Sequence, residues 1–332
     1  MRVLVTGGAG YIGSVVVAQL LEAGHDIVVY DNLSKGHRES VPSKVPLVVA
    51  DVGDAEKLGA VIQRHSPRAV MHFAASIEAG ESMQHPAKYF RNNTANTLNL
   101  LDTMQSHGVR GFVFSSTAAV YGNPKSTPIR ESDALEPANA YGESKLLVER
   151  MLNWFHRIHE LSYVSLRYFN ASGATAELGE MHRPETHLIP IVLQVAEGKR
   201  DHVSIFGTDY PTDDGTCVRD YIHVADLADA HVRALEALGR ATTPVRHIYN
   251  LGNGRGFSVR QVISTAERVV GKRIAAVEAD RRAGDPAVLV ASSEKIQNEL
   301  GWRPRHADLE SIIGSAWQWV QTKSRAIQST GA

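Results

Sequence analysis

Short runs of Val, Ile and Leu punctuate the first half of the chain, and between them lie longer stretches in which apolar residues recur every three to four positions. The short runs are apolar at successive rather than alternate positions, the mark of strands buried on both faces of a parallel sheet. The longer stretches have the period of helices that cross from one strand to the next. Strands are predicted over 2–6, 26–30, 47–51, 69–73, 111–115, 162–168 and 247–251. Helices are predicted over 14–23, with Gly24 as a C-terminal cap, and over 86–107, ending at Gly108. A third covers 141–159, where Leu146, Leu147, Met151 and Phe155 recur at helical spacing. This succession defines an α/β protein on a doubly wound parallel sheet of the Rossmann type, whose carboxyl edge is the place for a ligand.

The succession fades after Asn170. From 171 to about 215, Gly, Pro and charged residues crowd together and read as loop, and helical patterns at 258–270 and 309–322 close the chain. The expected division is a dinucleotide-binding domain over 1–170, with return segments near 216–252, and a smaller α/β substrate domain mainly over 171–332. The second forms the far wall of a cleft.

Composition removes several function classes. With 35 basic and 36 acidic side chains the net charge is −1, so no global field draws the chain to nucleic acid or an anionic membrane. No apolar run approaches a membrane span, and Val3-Leu4-Val5 stands too near the start for a signal peptide, so a cytoplasmic location is expected. Cys217 is the sole cysteine, which excludes an internal disulfide and a cysteine-rich zinc site. The 15 histidines are scattered, with no HExxH and no comparable carboxylate-backed pair, so no metal is expected. No GxSxG nucleophile elbow occurs.

The first strand runs into Gly7-Gly8-Ala9-Gly10-Tyr11-Ile12-Gly13, and a helix follows at once. Gly8, Gly10 and Gly13 fit GxGxxG, while Gly7, Gly10 and Gly13 fit GxxGxxG. Glycines there permit a tight turn and a close approach of backbone to pyrophosphate, with helix N-terminal amides facing the anion. Bare glycines are weak support, and strand, turn and helix in order strengthen them. Asp31 ends the next strand, where a carboxylate accepts hydrogen bonds from the adenosine ribose and repels a 2′-phosphate, so NAD is favoured over NADP despite Lys35 and Arg38 nearby. Asp51 ends the third predicted strand, beside an adenine or in a plain turn.

YxxxK occurs twice, at Tyr121/Lys125 and Tyr141/Lys145. Gly122, Asn123 and Pro124 break any helix between the first pair, whereas Gly142, Glu143 and Ser144 open an amphipathic helix that puts Tyr141 and Lys145 on one face. A phenol acting as a base near neutrality must lose about three pKa units, roughly 4 kcal/mol. One ammonium at about 4 Å supplies about that much at an effective dielectric near 20, and an oxidised nicotinamide adds a second positive charge. Thr117, leaving the fifth strand, offers a hydroxyl to hold a substrate oxygen.

With loop, Asp31, Thr117 and Tyr141/Lys145 in view, the chain resembles the extended short-chain dehydrogenase/reductase family over essentially its whole length. VTGGAGYIGS at Val5, YDNLSKG at Tyr30, FSSTAAVYG at Phe114, YGESKLLVE at Tyr141, LRYFNASGA at Leu166 and RRAGDPAVLVASSEK at Arg281 carry the likeness. Within that family it resembles the members that invert C4 of UDP-hexoses through a transient 4-keto sugar and bound NAD. The resemblance implies a cofactor pocket at Gly7, Gly10, Tyr11, Ile12, Gly13, Asp31, Asn32, Ser34, Lys35, Gly36, Asp51, Val52, Phe73, Ala74, Ala75, Asn92 and Phe169, with Thr117, Tyr141 and Lys145 shared by the chemistry. It implies UDP-sugar contacts at Asn170, His187, Leu188, Ser204, Ile205, Phe206, Arg219, Arg282, Asp285 and Leu289. Arg219 and Arg282 take the diphosphate and Asp285 the ribose. A homodimer through the helices that begin at Pro86 and Tyr141 is also implied, partly because their apolar faces exceed what one sheet needs.

Three positions depart from the family pattern. Ile77 replaces a lysine that contacts cofactor in some relatives, His187 replaces an asparagine near the sugar, and Leu289 replaces a bulky tyrosine. A smaller Leu289 implies room for N-acetylated sugars. Ala118 and Ala119 stand where nucleotide-sugar 4,6-dehydratases carry an acidic pair, so elimination lacks its acid and base. A UDP-sugar decarboxylase or another UDP-sugar epimerase stays open. A non-catalytic NAD sensor has no use for Tyr141 and Lys145.

Overall fold

The computed structural model describes residues 1–182, 184–282 and 285–330. Its first part runs β1 (Arg2–Thr6), α1 (Tyr11–Glu22), β2 (Asp26–Asp31), β3 (Leu47–Val49), α2 (Ala55–His65) and β4 (Ala69–His72). Two short helices, α3 (Ala79–Gln84) and α4 (Pro86–Tyr89), and a π-turn over Phe90–Ala95 lead into α5 (Asn96–Ser106). Then come β5 (Gly111–Thr117), α6 (Ala140–His159), β6 (Ser162–Tyr168), β7 (Asn170–Ser172), α7 (Leu188–Ala196) and β8 (Val203–Phe206). The remainder is β9 (Val218–His223), α8 (Val224–Arg240), β10 (Arg246–Leu251), β11 (Gly256–Ser258) and α9 (Val259–Val270). The last elements are β12 (Ala276–Ala279), β13 (Val288–Leu289), α10 (Glu294–Leu300) and α11 (Leu309–Thr330).

Seven strands form one sheet in the order β10-β6-β5-β4-β1-β2-β3, each pair parallel. The unbroken apolar runs are explained by what covers each face. Val3 and Val5 pack with residues of α1 and α8 on one side, while Leu4 packs with residues of α2, α5 and α6 on the other. All three are fully buried, and each such side chain stabilises the fold by about 1.5–3 kcal/mol. The order of strands reverses between β1 and β4, so the turns leaving those two strands open a crevice at the carboxyl edge.

The second half is more regular than its sequence suggests. The segment read as loop holds α7 and β8, and α8 was absent from the predicted helices. Pro190 sits in the first turn of α7, where a missing N–H costs nothing. No Ser, Thr, Asp or Asn caps α8; the His223 imidazole accepts from the Ala225 amide at 3.1 Å instead. β9 lies not in the main sheet but in a small one, between β11 and β13 and beside β7, and β12 pairs with β8. A separate core of Ile189, Val192, Val262, Ile312 and neighbours joins α7, α9 and α11. In the 86–107 segment the π-turn interrupts the single helix expected.

Candidate active site

The crevice is a cavity of about 830 Å³, within the range of small-molecule sites. Its first wall is the turn after β1. Gly7 has a φ of +75°, and a Cβ on Gly13 would stand 2.1 Å from the Gly7 carbonyl oxygen, so a side chain at either position would open the turn. The N-terminus of α1 therefore faces the cavity with bare backbone, which is what a pyrophosphate requires. Asp31, buried at the end of β2, accepts from the Ala9 amide at 3.0 Å and the Leu33 amide at 2.8 Å, fixing the loop and the strand end together. Asp51 accepts from the side chains of Asn32 and Asn96, at 2.8 and 3.1 Å, at the same end. This cradle fits a dinucleotide.

Every cofactor residue named above from the sequence lines this cavity: Gly7, Gly10, Tyr11, Ile12 and Gly13 of the loop, Asp31, Asn32, Ser34, Lys35, Gly36, Asp51, Val52, Phe73 to Ala75, Asn92 and Phe169. Lys35 and Glu78 approach to 3.4 Å across it, linking the loop after β2 to the segment after β4. Burial pushes the Glu78 carboxyl up, but hydrogen bonds from its own and the Ile77 amides, together with Lys35, leave it lowered. The π-turn supplies the next contacts. Asn93 donates to the Ser144 hydroxyl at 3.0 Å and the Ser76 carbonyl at 2.9 Å, and Asn92 donates to the Ser76 hydroxyl at 3.1 Å. The extra residue of a π-turn thus pins α6 to the wall of the cleft.

Asn139 caps α6, accepting from the Gly142 amide at 2.8 Å, and starts the helix so that Tyr141 and Lys145 both reach the cavity. Thr117, the last residue of β5, joins them there. The Tyr141 ring meets Tyr89 edge-on, with centroids 6.4 Å apart. Burial raises the phenol above its ordinary value, contact with the Thr117 hydroxyl pulls it back, and Glu78 raises it again. Lys145 donates to the Ser115 carbonyl at 2.9 Å and lies 4.9 Å over the Phe114 ring. Burial lowers Lys145 to about 7. The depression of the phenol expected from the sequence needs Lys145 and an oxidised nicotinamide together; in the protein alone the amine is turned to Ser115 and the phenol lies above its ordinary value.

Tyr121, rejected as a base from sequence, is buried away from this cavity. Its hydroxyl donates to Asn250 at 2.7 Å and accepts from Arg167 at 2.8 Å. Arg167 pairs with Glu149, one helical turn beyond Lys145, and Ser116 donates to the same carboxylate.

The expected substrate residues fall into two groups. Asn170 and His187 line the large cavity. Leu188 opens α7, Ser204, Ile205 and Phe206 lie on β8, and none of these lines it. Arg282 stacks 3.8 Å over the Phe206 ring, Arg219 of β9 stands 3.6 Å from Asp285, and Leu289 registers with Arg219 and packs in the cluster that contains Phe169. Phe169 is thus the seam between the groups. The sequence reading missed Glu78, Arg91, Ser115, Tyr168, Glu180 and His182 among the lining residues. It also found no carboxylate-backed histidine, yet Glu180 stands 2.7 Å from His182 and Glu185 2.8 Å from His187. Their spacing matches no established motif, so only the folded loop reveals them.

A switch-point crevice shaped for a dinucleotide, with a phenol, an amine and a hydroxyl at its inner end, defines a Rossmann-fold enzyme of the class that moves a hydride and a proton at one substrate carbon. The chain belongs to the NAD dependent epimerase/dehydratase family, whose model matches residues 3–252. It is 51% identical over 321 residues to a UDP-glucose 4-epimerase of Halalkalibacterium halodurans, covering 96% of this chain and 95% of that protein. Among solved structures, a Brucella ovis UDP-glucose 4-epimerase in complex with NAD superposes with a TM-score of 0.92 at 45% identity, over 95% of this chain and 97% of that one. A Bifidobacterium longum UDP-glucose 4-epimerase in complex with NAD+ and UDP gives 0.92 at 37% identity, over 98% and 99%.

Proposed function

We propose that this chain inverts C4 of a UDP-hexose, interconverting UDP-glucose and UDP-galactose. NAD held in the cradle supplies the acceptor that takes the C4 hydrogen and gives it back. The chain's own groups do the rest. Tyr141 takes the proton of the 4-hydroxyl and returns it, Thr117 holds the oxygen in line, and Lys145 takes up its proton and turns that charge toward the phenolate as it develops. Burial and the Glu78 charge raise Tyr141 in the protein alone, so the phenol would act as a base only with the positive charge of a bound oxidised cofactor beside it. Epimerisation needs a firm hold on the nucleotide and a loose one on the sugar, so that the 4-keto sugar turns and presents its other face. Arg219, Arg282 and Asp285 suit the first task, a planar fork being matched to a diphosphate.

In this reading residues 1–170 and the return segments near 216–252 carry the cofactor, and 171–332 mainly carry the UDP-sugar. α8 and β10 packed on the main sheet support the first assignment. The active protein is a homodimer in the cytoplasm. Leu98 of α5 and Trp154 and Ile158 of α6 are large apolar side chains left exposed, which supports a helical contact between copies.

The observation that carries the proposal is the meeting of Thr117, Tyr141 and Lys145 in the cavity built by the glycine turn. Purified protein should convert UDP-galactose to UDP-glucose, and Tyr141→Phe should lose on the order of a hundredfold or more in kcat, the usual worth of a positioned acid/base. Full activity in that variant refutes the assignment. Leu289 extends the substrate range to UDP-GlcNAc; absence of turnover under conditions that epimerise UDP-glucose removes that extension.

A further inference from the structure

Between β7 and α7 the chain folds Glu180, His182 and His187 onto the cavity wall, with one ligand atom from each within 4.8 Å of the others. The proton and hydride transfers described above use no ligand set of this kind. Two features separate the cluster from an ordinary ion-paired surface. Nδ1 of His182 is buried 2.7 Å from a Glu180 carboxylate oxygen, at an angle too poor for a well-formed hydrogen bond. A ring nitrogen and a carboxylate oxygen this close, yet misaligned for a hydrogen bond, are two ligand atoms that one metal ion can bridge. A tetrahedral ion at about 2.1 Å from each would satisfy both once they part to about 3.4 Å.

The second feature is how His187 is held. Nδ1 is 2.8 Å from a Glu185 oxygen that also accepts from the Thr186 and His187 amides, both at 2.7 Å. Glu185 is 4% exposed in its side chain, so this support is fixed. A carboxylate on one ring nitrogen sets the tautomer and leaves the lone pair on the other, the outer-sphere arrangement of histidine ligands in metal sites. The Glu180 carboxylate is anchored likewise, accepting from the Met181 and His182 amides at 2.8 and 2.9 Å.

We propose that Glu180, His182 and His187 bind one first-row divalent ion of the zinc class, with Glu185 orienting His187. Two imidazoles and a carboxylate select zinc or cobalt over magnesium or calcium, which prefer all-oxygen ligands. Three protein ligands leave a coordination position open. Glu180 and His182 also border Gly10 and Tyr11, so an ion bound there fastens these two residues beside the phosphate turn.

The test uses full-length protein stripped of metal by chelation and titrated with Co²⁺, read by its visible ligand-field absorption and by calorimetry. One saturable equivalent is expected, with a nitrogen-and-oxygen ligand spectrum, and the same ion should raise the thermal midpoint. His182→Ala and His187→Ala should abolish the band, and Glu185→Gln should weaken binding by about ten- to a hundredfold. His202→Ala, on an exposed position of the second half, should change nothing. Circular dichroism and retained NAD binding confirm that the variants are folded. No saturable equivalent in the wild type, or equal binding in His182→Ala and His202→Ala, overturns the proposal. Tyr141→Phe should keep the cobalt band, so the site is tested independently of turnover.

Discussion

Lys145 shows how a residue's role depends on what surrounds it. Its position on one helical face with Tyr141 follows from spacing alone, but its partner does not, because the Ser115 carbonyl that it meets belongs to a strand 30 residues earlier. Burial without a carboxylate partner lowers its pKa to about 7 from 10.5. Between those values the unfolded chain holds a proton that the native protein does not, so this residue makes the native state gain stability as pH rises through that window. Below it the full burial penalty remains. Lys145→Met should therefore be more stable than wild type near pH 7, with the gap closing as pH rises toward about 10. Thermal midpoints of both proteins across that range measure it, and a constant gap contradicts the buried ammonium. Glu78 is the opposite case. Nothing in its local sequence marks it, since its effect on Tyr141 and its approach to Lys35 arise only when two loops and the start of α6 meet.

Among the elements, α6 carries the chemistry and is fastened at both its start and its middle. Asn139 caps it, the π-turn grips Ser144, and Glu149 meets Arg167 and Ser116 with both charges at most 4% exposed. Removing one member of a buried pair leaves the other charged without compensation, at a cost of about 3–5 kcal/mol. Glu149→Ala should lose that much in urea unfolding, and a change below about 0.5 kcal/mol would show that the pair does not hold the helix. The helix itself was legible from its apolar spacing. The π-turn was not, because one extra residue in a long amphipathic stretch leaves the pattern nearly unchanged. α7 and α8 escaped for a different reason: a proline in the first turn and an imidazole cap replaced the expected start signals.

For the whole molecule, the parallel sheet was readable because both of its faces are covered, which turns each central strand into an uninterrupted apolar run. From that sheet the position of the cleft followed. The small sheets of the second half were not readable, since β7, β11 and β13 are two or three residues long and carry no period. That half holds Arg219, Arg282 and Asp285, whose assignment comes from resemblance, whereas the glycine turn, Asp31 and Tyr141 follow from physical argument. In the proposed dimer, Trp154, 55% exposed, would lie at the contact between copies. Trp154→Glu should convert a dimer to a monomer in light scattering, and a wild-type monomer would remove that part of the proposal.

The central claim is that C4 itself is oxidised and reduced beside Tyr141. UDP-galactose carrying deuterium at C4, incubated in ordinary water, tests it most directly. The account predicts UDP-glucose with the deuterium still on C4, since the hydride leaves and returns without exchange with solvent. Loss of the label to water, or inversion with the label unmoved in a Tyr141→Phe variant at full rate, would contradict it.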